Sequence, residues 1–151
     1  MSLDRVLVLG LGKVGTLVAA LLHDSQFTVT GIDSVKHTGL PFATKVADLS
    51  DAKSLNKLLK GADAVVSCLP FNLNMALSTE VAQAGIHYFD LTEDVPTTNH
   101  IRKLAKTSKG LMAPQCGLAP GFIGIVGANL AKDFDKLRSI ELKVRALPKH
   151  P

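Results

Sequence analysis

The chain has 151 residues, which suits one domain with a buried core, and at 46% hydrophobic and 20% charged residues it is excluded from the disordered class. The formal net charge of +4 comes from scattered Lys and Arg with no block of five or six, so no nucleic-acid partner is expected, although a positive surface would help attract an anionic dinucleotide. Cys68 and Cys116 are too few for a disulfide framework and match no zinc spacing, so no metal is expected.

The opening MSLDRVLVLG lacks the basic region, apolar stretch and cleavage site of a signal peptide. No run approaches eighteen apolar residues, so no membrane partner is expected. These features predict a soluble, cytoplasmic protein in a reducing compartment.

Residues 5–9 (RVLVL) form a nearly all-apolar run, the signature of a central parallel strand. Residues 10–15 (GLGKVG) interrupt it. Helical spacing of Val14, Leu17, Val18, Leu21 and Leu22 then predicts an amphipathic helix. A second strand follows at 27–32, ending at Asp33. Residues 34–44 read as a polar connection, and 46–49 (VADL) as a short third strand. Ser50 is a suitable cap for a helix with Leu55, Leu58 and Leu59 on one face, stopping near Gly61.

The next strand is 64–67 (AVVS), then a helix over 72–84 with Gly85 as its stop, then a strand at 86–89 (IHYF). Pro96 is placed to open a helix carrying Ile101, Leu104 and Ala105, which Gly110 ends. Residues 111–113 supply a strand before the glycine-rich segment 116–127, where Pro120 can start a last helix. Alternation of Ile140, Leu142, Val144 and Ala146 predicts a final strand over 139–147. Repeated strand–helix units of this length imply an α/β fold, a Rossmann doubly wound parallel sheet with helices on both faces. The expected organisation is a domain over 1–147, with 148–151 beginning a linker to a second domain.

Gly10-x-Gly12-x-x-Gly15 follows a strand and opens a helix, the context in which this motif binds a dinucleotide. Gly10 permits the tight turn, Gly12 lets the backbone approach the pyrophosphate, and Gly15 allows the helix to pack on the strand. Free amides at the helix start then meet the phosphate charge. Asp33 ends the next strand about twenty residues on, where a carboxylate accepts both ribose hydroxyls and repels a 2′-phosphate. No Arg stands beside it, only Lys36, so NAD is favoured over NADP.

Asp48 and Leu49 fit the adenine edge, or an ordinary loop before a helix cap. Cys68, Leu69 and Pro70 close a strand on the carboxyl side of the sheet and could line the nicotinamide ribose; Cys68 itself fits a small packing residue better than a nucleophile. Asp90 stands at a strand tip and could orient a bound amine or a nearby backbone loop. Glu93 and Asp94 suit either attraction of a cationic substrate or the start of a helix. The loop 115–121 (QCGLAPG) should lie beside the nicotinamide, and Gly124 and Gly127 suggest close helix packing. No convergent proton-transfer set is visible, so that chemistry is expected from a second domain.

With GLGKVG, VVSCLP, AGIHYFD and CGLAPGFIGIVGANLA in hand, the chain resembles the amino-terminal domain of the saccharopine dehydrogenase-like family, which includes saccharopine reductases, lysine 6-dehydrogenases and carboxynorspermidine dehydrogenases. The resemblance implies an oxidoreductase acting on C–N bonds of amino acids or amines through an imine. It also implies a second α/β domain and a full-length homodimer. By the same resemblance Gly10, Leu11, Gly12, Lys13 and Val14 would form the phosphate loop, Asp33 the adenosine-ribose contact, and Asp48 with Leu49 the adenine-side contact. Cys68, Leu69 and Pro70 would border the nicotinamide ribose. Asp90, Cys116 and Gly117 would be this domain's share of the catalytic cleft. Asp33 points toward the lysine 6-dehydrogenase-like branch. A dinucleotide-sensing regulatory domain and a dehydrogenase of the homoserine or semialdehyde kind are the competing readings.

Overall fold

The computed structural model describes residues 3–49 and 51–144. Among these residues six strands form one parallel sheet: β1 (Arg5–Leu9), β2 (Thr28–Asp33), β3 (Ala43–Val46), β4 (Ala64–Ser67), β5 (His87–Asp90) and β6 (Met112–Ala113). The spatial order is β3-β2-β1-β4-β5-β6. Five helices among the described residues connect or follow them: α1 (Lys13–Asp24), α2 (Ala52–Leu59), α3 (Phe71–Ala84), α4 (Val95–Leu104) and α5 (Phe122–Ala131). The chain moves outward from β1 through β2 to β3, then crosses back to β4 on the other side of β1. That reversal is where a doubly wound sheet opens a crevice at its carboxyl edge.

Side-chain alternation along β1 explains the two-sided core. Leu7 and Leu9 join Leu55, Leu59, Leu77, Val81, Tyr88 and Ile101 on the face covered by α2, α3 and α4. Val6 and Val8 join Leu11, Ala19, Val29 and Phe42 on the face covered by α1. Helices therefore lie on both faces of a Rossmann-type sheet, as the strand–helix alternation predicts.

Several local expectations are corrected. The third strand lies at 43–46, because pairing with β2 runs from Thr30↔Ala43 to Asp33↔Val46. Backbone pairing, not the apolar run at 46–49, sets this edge strand, and the chain leaves the sheet as the Ala47 N–H donates to the Asp33 carbonyl. Helix α1 packs through Gly15 and Ala19, while Val14, Leu17 and Leu21 stay exposed. Small residues let the helix axis come close to the sheet, and of the expected apolar stripe Leu22 still packs against this core.

Ser50 lies outside the described residues. The α2 start is held by Asp51, whose carboxylate accepts the Ser54 N–H at 3.0 Å. Residues 139–144 form no strand, and 145–147 lie outside the described residues. Alternation alone cannot hold a strand without a sheet edge to pair with, and Ile140, Leu142 and Val144 remain exposed. Gly127 does meet a neighbour, the Leu142 side chain, whereas a Cβ on Gly124 would touch nothing within 4 Å. Helix α5 buries none of its residues among the described part of the chain.

Candidate functional site

The glycine loop between β1 and α1 is built by close approach. Gly10 adopts φ +86°, a left-handed conformation that favours glycine, and its N–H donates to the Ile32 carbonyl at 2.8 Å. A Cβ on Gly15 would collide with the Gly10 carbonyl oxygen, so the third glycine is what lets α1 begin directly against the turn. A Cβ on Gly12 would meet no protein atom within 4 Å; that side of the loop faces open space. Gly12 caps α1 without a side-chain hydrogen bond, and the first turn holds no acidic residue. Uncapped first-turn N–H groups with Lys13 beside them suit an anionic ligand.

Asp33 is tied to this loop. Its carboxylate accepts the Leu11 N–H at 2.6 Å, the Val35 N–H at 3.2 Å and the Ser34 hydroxyl at 3.3 Å. His37 Nε2 lies 3.4 Å from Oδ2, buried and without a hydrogen-bond partner of its own. Desolvation works against the charge, but the Leu11 and Val35 amides and His37 outweigh it, so the carboxyl sits below its usual 3.8. The group stands ionised at the tip of β2.

A cavity of about 410 Å³ runs along the carboxyl edge of the sheet. It brings together eight of the expected residues: Gly10, Gly12, Asp33, Asp48, Leu49, Cys68, Leu69 and Pro70. Ser34, Ala47 and Leu73 complete its wall. Leu11 contributes its N–H, while its side chain is buried in the core. Lys13 and Val14 lie in the first turn of α1, and Gly15 is buried beneath them. Burial pushes the Cys68 thiol up to about 11, as fits a packing residue rather than a nucleophile.

A second cavity of about 510 Å³ continues from Cys68 and Leu69 toward the tip of β5, lined there by residues 91–94. Asp94 behaves as a helix start: its Oδ2 accepts the Thr97 N–H at 2.8 Å and the Thr97 hydroxyl at 2.6 Å. Glu93 is exposed beside it.

Asp90 is completely buried. Oδ2 accepts the Tyr88 hydroxyl at 2.9 Å, and Oδ1 accepts the Thr92 N–H at 3.0 Å and the Gln115 N–H at 3.2 Å. Its carbonyl accepts the Cys116 N–H at 2.7 Å. Asp90 thus fastens the 115–121 loop to β5. Burial, then the Asp90 charge, pushes the Tyr88 phenol far up, so it stays a donor.

In that loop Gly117 bridges Gly121, and the Phe122 N–H donates to the Gly117 carbonyl at 2.9 Å as α5 begins. Cys116 Sγ turns toward the Ala113 carbonyl at 3.4 Å, and burial followed by the Asp90 charge raises its thiol. Asp90, Cys116 and Gly117 line neither cavity.

Sequence reasoning missed a buried polar pair: the Ser67 hydroxyl donates to Asn74 Oδ1 at 2.7 Å, and both residues are 1% exposed. The available signal was spacing, since Asn74 shares a helical face with Leu77, Ser78 and Val81, the buried residues of α3. Among the described residues no helix is long and apolar enough to cross a membrane, and no three His, Cys, Asp or Glu side chains are grouped to hold a metal.

Residues 6–114 match the protein family described as "Saccharopine dehydrogenase NADP binding domain". Among solved structures the chain is similar to apo saccharopine dehydrogenase (L-Glu forming) from Saccharomyces cerevisiae, at 19% identity and a TM-score of 0.67, over 86% of this chain and 31% of that one. It is also similar to a short-chain dehydrogenase/reductase superfamily protein from Agrobacterium tumefaciens with bound NAD, at 19% identity and a TM-score of 0.57, over 71% and 47%. A GalE-like L-threonine dehydrogenase from Cupriavidus necator matches at 18% identity and a TM-score of 0.51, over 57% and 36%. At these identities the likeness is one of fold. The chain spans 31% of the yeast enzyme's length.

Proposed function

The chain belongs to the family of saccharopine dehydrogenase NADP-binding domains, and from that premise we propose that it is the NAD-binding part of an amino-acid dehydrogenase acting on a C–N bond. The observation that carries the reading is Asp33: an ionised carboxylate at the tip of β2, hydrogen-bonded to the glycine loop and lining the same cavity as Gly10 and Gly12. A carboxylate there accepts two ribose hydroxyls and repels a 2′-phosphate. The family description names NADP, so this chain's own residue is the reason to assign NAD.

The cavity suits an extended dinucleotide. Asp48 and Leu49 would border adenine, the α1 amides and Lys13 the pyrophosphate, and Cys68, Leu69 and Pro70 the nicotinamide ribose. When bound, the cofactor would supply a hydride acceptor for oxidation of an amine-bearing carbon, whose nitrogen would give up a proton to leave an imine that water opens to a carbonyl and an amine. The protein's contribution is to hold both partners in contact.

Asp90 acts in this scheme as a positioning residue for the 115–121 loop, with Cys116 and Gly117 forming a wall of the cleft. Proton transfer and most substrate contacts belong to a second domain of a longer, dimeric protein. Support comes from the exposed apolar residues of α5, including Phe122, Ile125 and Leu130, and from the share of the yeast enzyme spanned.

Calorimetric titration of the chain with NADH and NADPH tests the reading. NADH should bind at least about tenfold more tightly, the factor that about 1.4 kcal/mol of 2′-phosphate repulsion gives. Preference for NADPH would overturn the Asp33 assignment, and a folded chain that binds neither would overturn the cofactor reading.

A further inference from the structure

Asn74 has no task in the site as described, yet it is a buried side chain on a cavity wall. It occupies the first turns of α3 at 1% exposure and lines the 510 Å³ cavity with Cys68, Leu69 and Thr92. Its Oδ1 is committed, accepting the Ser67 hydroxyl at 2.7 Å. With Oδ1 turned to Ser67, the two N–H groups of Nδ2 have no acceptor among the described residues and remain open to the cavity that Asn74 lines. A donor held in fixed orientation on a cavity wall is available to an acceptor on a bound ligand.

Continuity of the two cavities identifies the ligand. Cys68 and Leu69 form part of both walls, so a dinucleotide laid from Asp33 across the glycine loop reaches the Asn74 cavity with its nicotinamide end. Glu93 and Asp94 also line this cavity. Two carboxylates there disfavour an anionic acceptor, such as a substrate carboxylate, and tolerate a neutral carboxamide on a cationic ring.

We propose that Asn74 is a cofactor-binding residue whose Nδ2 donates to the carboxamide oxygen of nicotinamide, with Ser67 as the residue that orients it. This rests on the cofactor reading above. Ser67 pairs with Asp90 across β4 and β5, and it also faces the Tyr88 hydroxyl. The orienting group is therefore set in a rigid sheet position rather than in a loop.

The test compares NADH with ADP-ribose, which carries the adenosine and diphosphate but no nicotinamide. Parent, Asn74→Ala and Asn74→Asp chains are titrated with both by calorimetry. Asn74→Asp keeps an acceptor for Ser67 and removes the donor, so it probes the contact while preserving the buried pair. Both variants should lose about tenfold in NADH affinity, the worth of about one hydrogen bond, with ADP-ribose affinity unchanged. The 3-acetylpyridine analogue of NADH keeps the oxygen and lacks the amide nitrogen, and it should bind the parent as NADH does.

Unchanged NADH affinity in Asn74→Asp would overturn the proposal, as would equal losses for NADH and ADP-ribose. A parent chain that binds ADP-ribose as tightly as NADH would overturn it while leaving the adenosine side of the cofactor reading intact. Binding of neither ligand would overturn both.

Discussion

The carboxylate of Asp33 and the backbone N–H of Leu11 are joined by a 2.6 Å hydrogen bond between the tip of β2 and the turn that follows β1. The residue proposed to meet the ribose is therefore also tied to the loop that follows β1. Asp33→Asn keeps one acceptor for Leu11 but removes the charge that repels a 2′-phosphate. The ratio of NADPH to NADH affinity should rise about tenfold or more in this variant, with the thermal midpoint little changed. Calorimetry with both cofactors checks the ratio, and an unchanged ratio would show that another group sets the preference.

Acid should undo the same contact in a defined window. The Asp33 carboxyl is held below 3.8: desolvation opposes this, but the Leu11 and Val35 amides, His37 and Ser34 prevail. A group depressed in the folded state contributes its stability above the unfolded value and loses it as pH falls through the folded one. The contribution is thus complete well above about pH 4 and is lost progressively as pH falls from there through the lower folded value. Thermal midpoints measured from pH 6 to pH 3 should fall less steeply for Asp33→Asn than for the parent.

Gly12 and Gly15 should part company on substitution. A Cβ on Gly15 would collide with the Gly10 carbonyl, whereas one on Gly12 would meet nothing within 4 Å. Gly15→Ala should destabilise the fold by about 1–3 kcal/mol, the usual range for overpacking, and so lower the thermal midpoint by several degrees. Gly12→Ala should leave the midpoint nearly unchanged and weaken NADH binding, because it fills space the backbone leaves for the diphosphate. Melting curves with and without NADH separate the two effects.

The Cys68 thiol should not react readily at neutral pH. Burial holds Cys68 up to about 11, and burial with the Asp90 charge raises Cys116. Only the thiolate alkylates, so iodoacetamide at pH 7.5 should modify Cys68 at least about a hundredfold more slowly than a free cysteine. Mass-spectrometric labelling rates across pH 7–10 check this. Rapid labelling of Cys68 would revive it as a nucleophile.

What could be read from the sequence follows the range of the physics involved. RVLVL and AVVS are buried on both faces, and GLGKVG needs its conformation locally, so short-range pattern sufficed for β1, β4 and the phosphate loop. The third strand was misplaced because Ala43–Val46 is an edge strand fixed by pairing with β2, and an edge strand carries little apolar signal. The outward stripe of Val14, Leu17 and Leu21 was misread because Gly15 sets how close α1 lies to the sheet. Asp90 could be seen at its strand tip, but not its three donors, since Gln115 is 25 residues away. Asn74 was overlooked because a polar residue within an apolar helical face has meaning only once its partner, Ser67, is known.

Tyr88 and Asp90 allow the positioning role of the buried carboxylate to be separated from a chemical one. Tyr88→Phe removes the one donor to Oδ2 among the described residues, while the Thr92 and Gln115 amides still reach Oδ1. A buried carboxylate oxygen deprived of its donor costs about 1–3 kcal/mol, so the thermal midpoint should drop. If Asp90 acts by fastening the 115–121 loop, amide exchange at Gln115 and Cys116 should accelerate in Tyr88→Phe, and more so in Asp90→Ala, while ADP-ribose affinity holds. Asp90→Asn, which keeps an acceptor for Gln115, should retain most of the exchange protection. Protection unchanged in all three variants would remove the positioning role and leave Asp90 free to be tested as a group that meets the substrate.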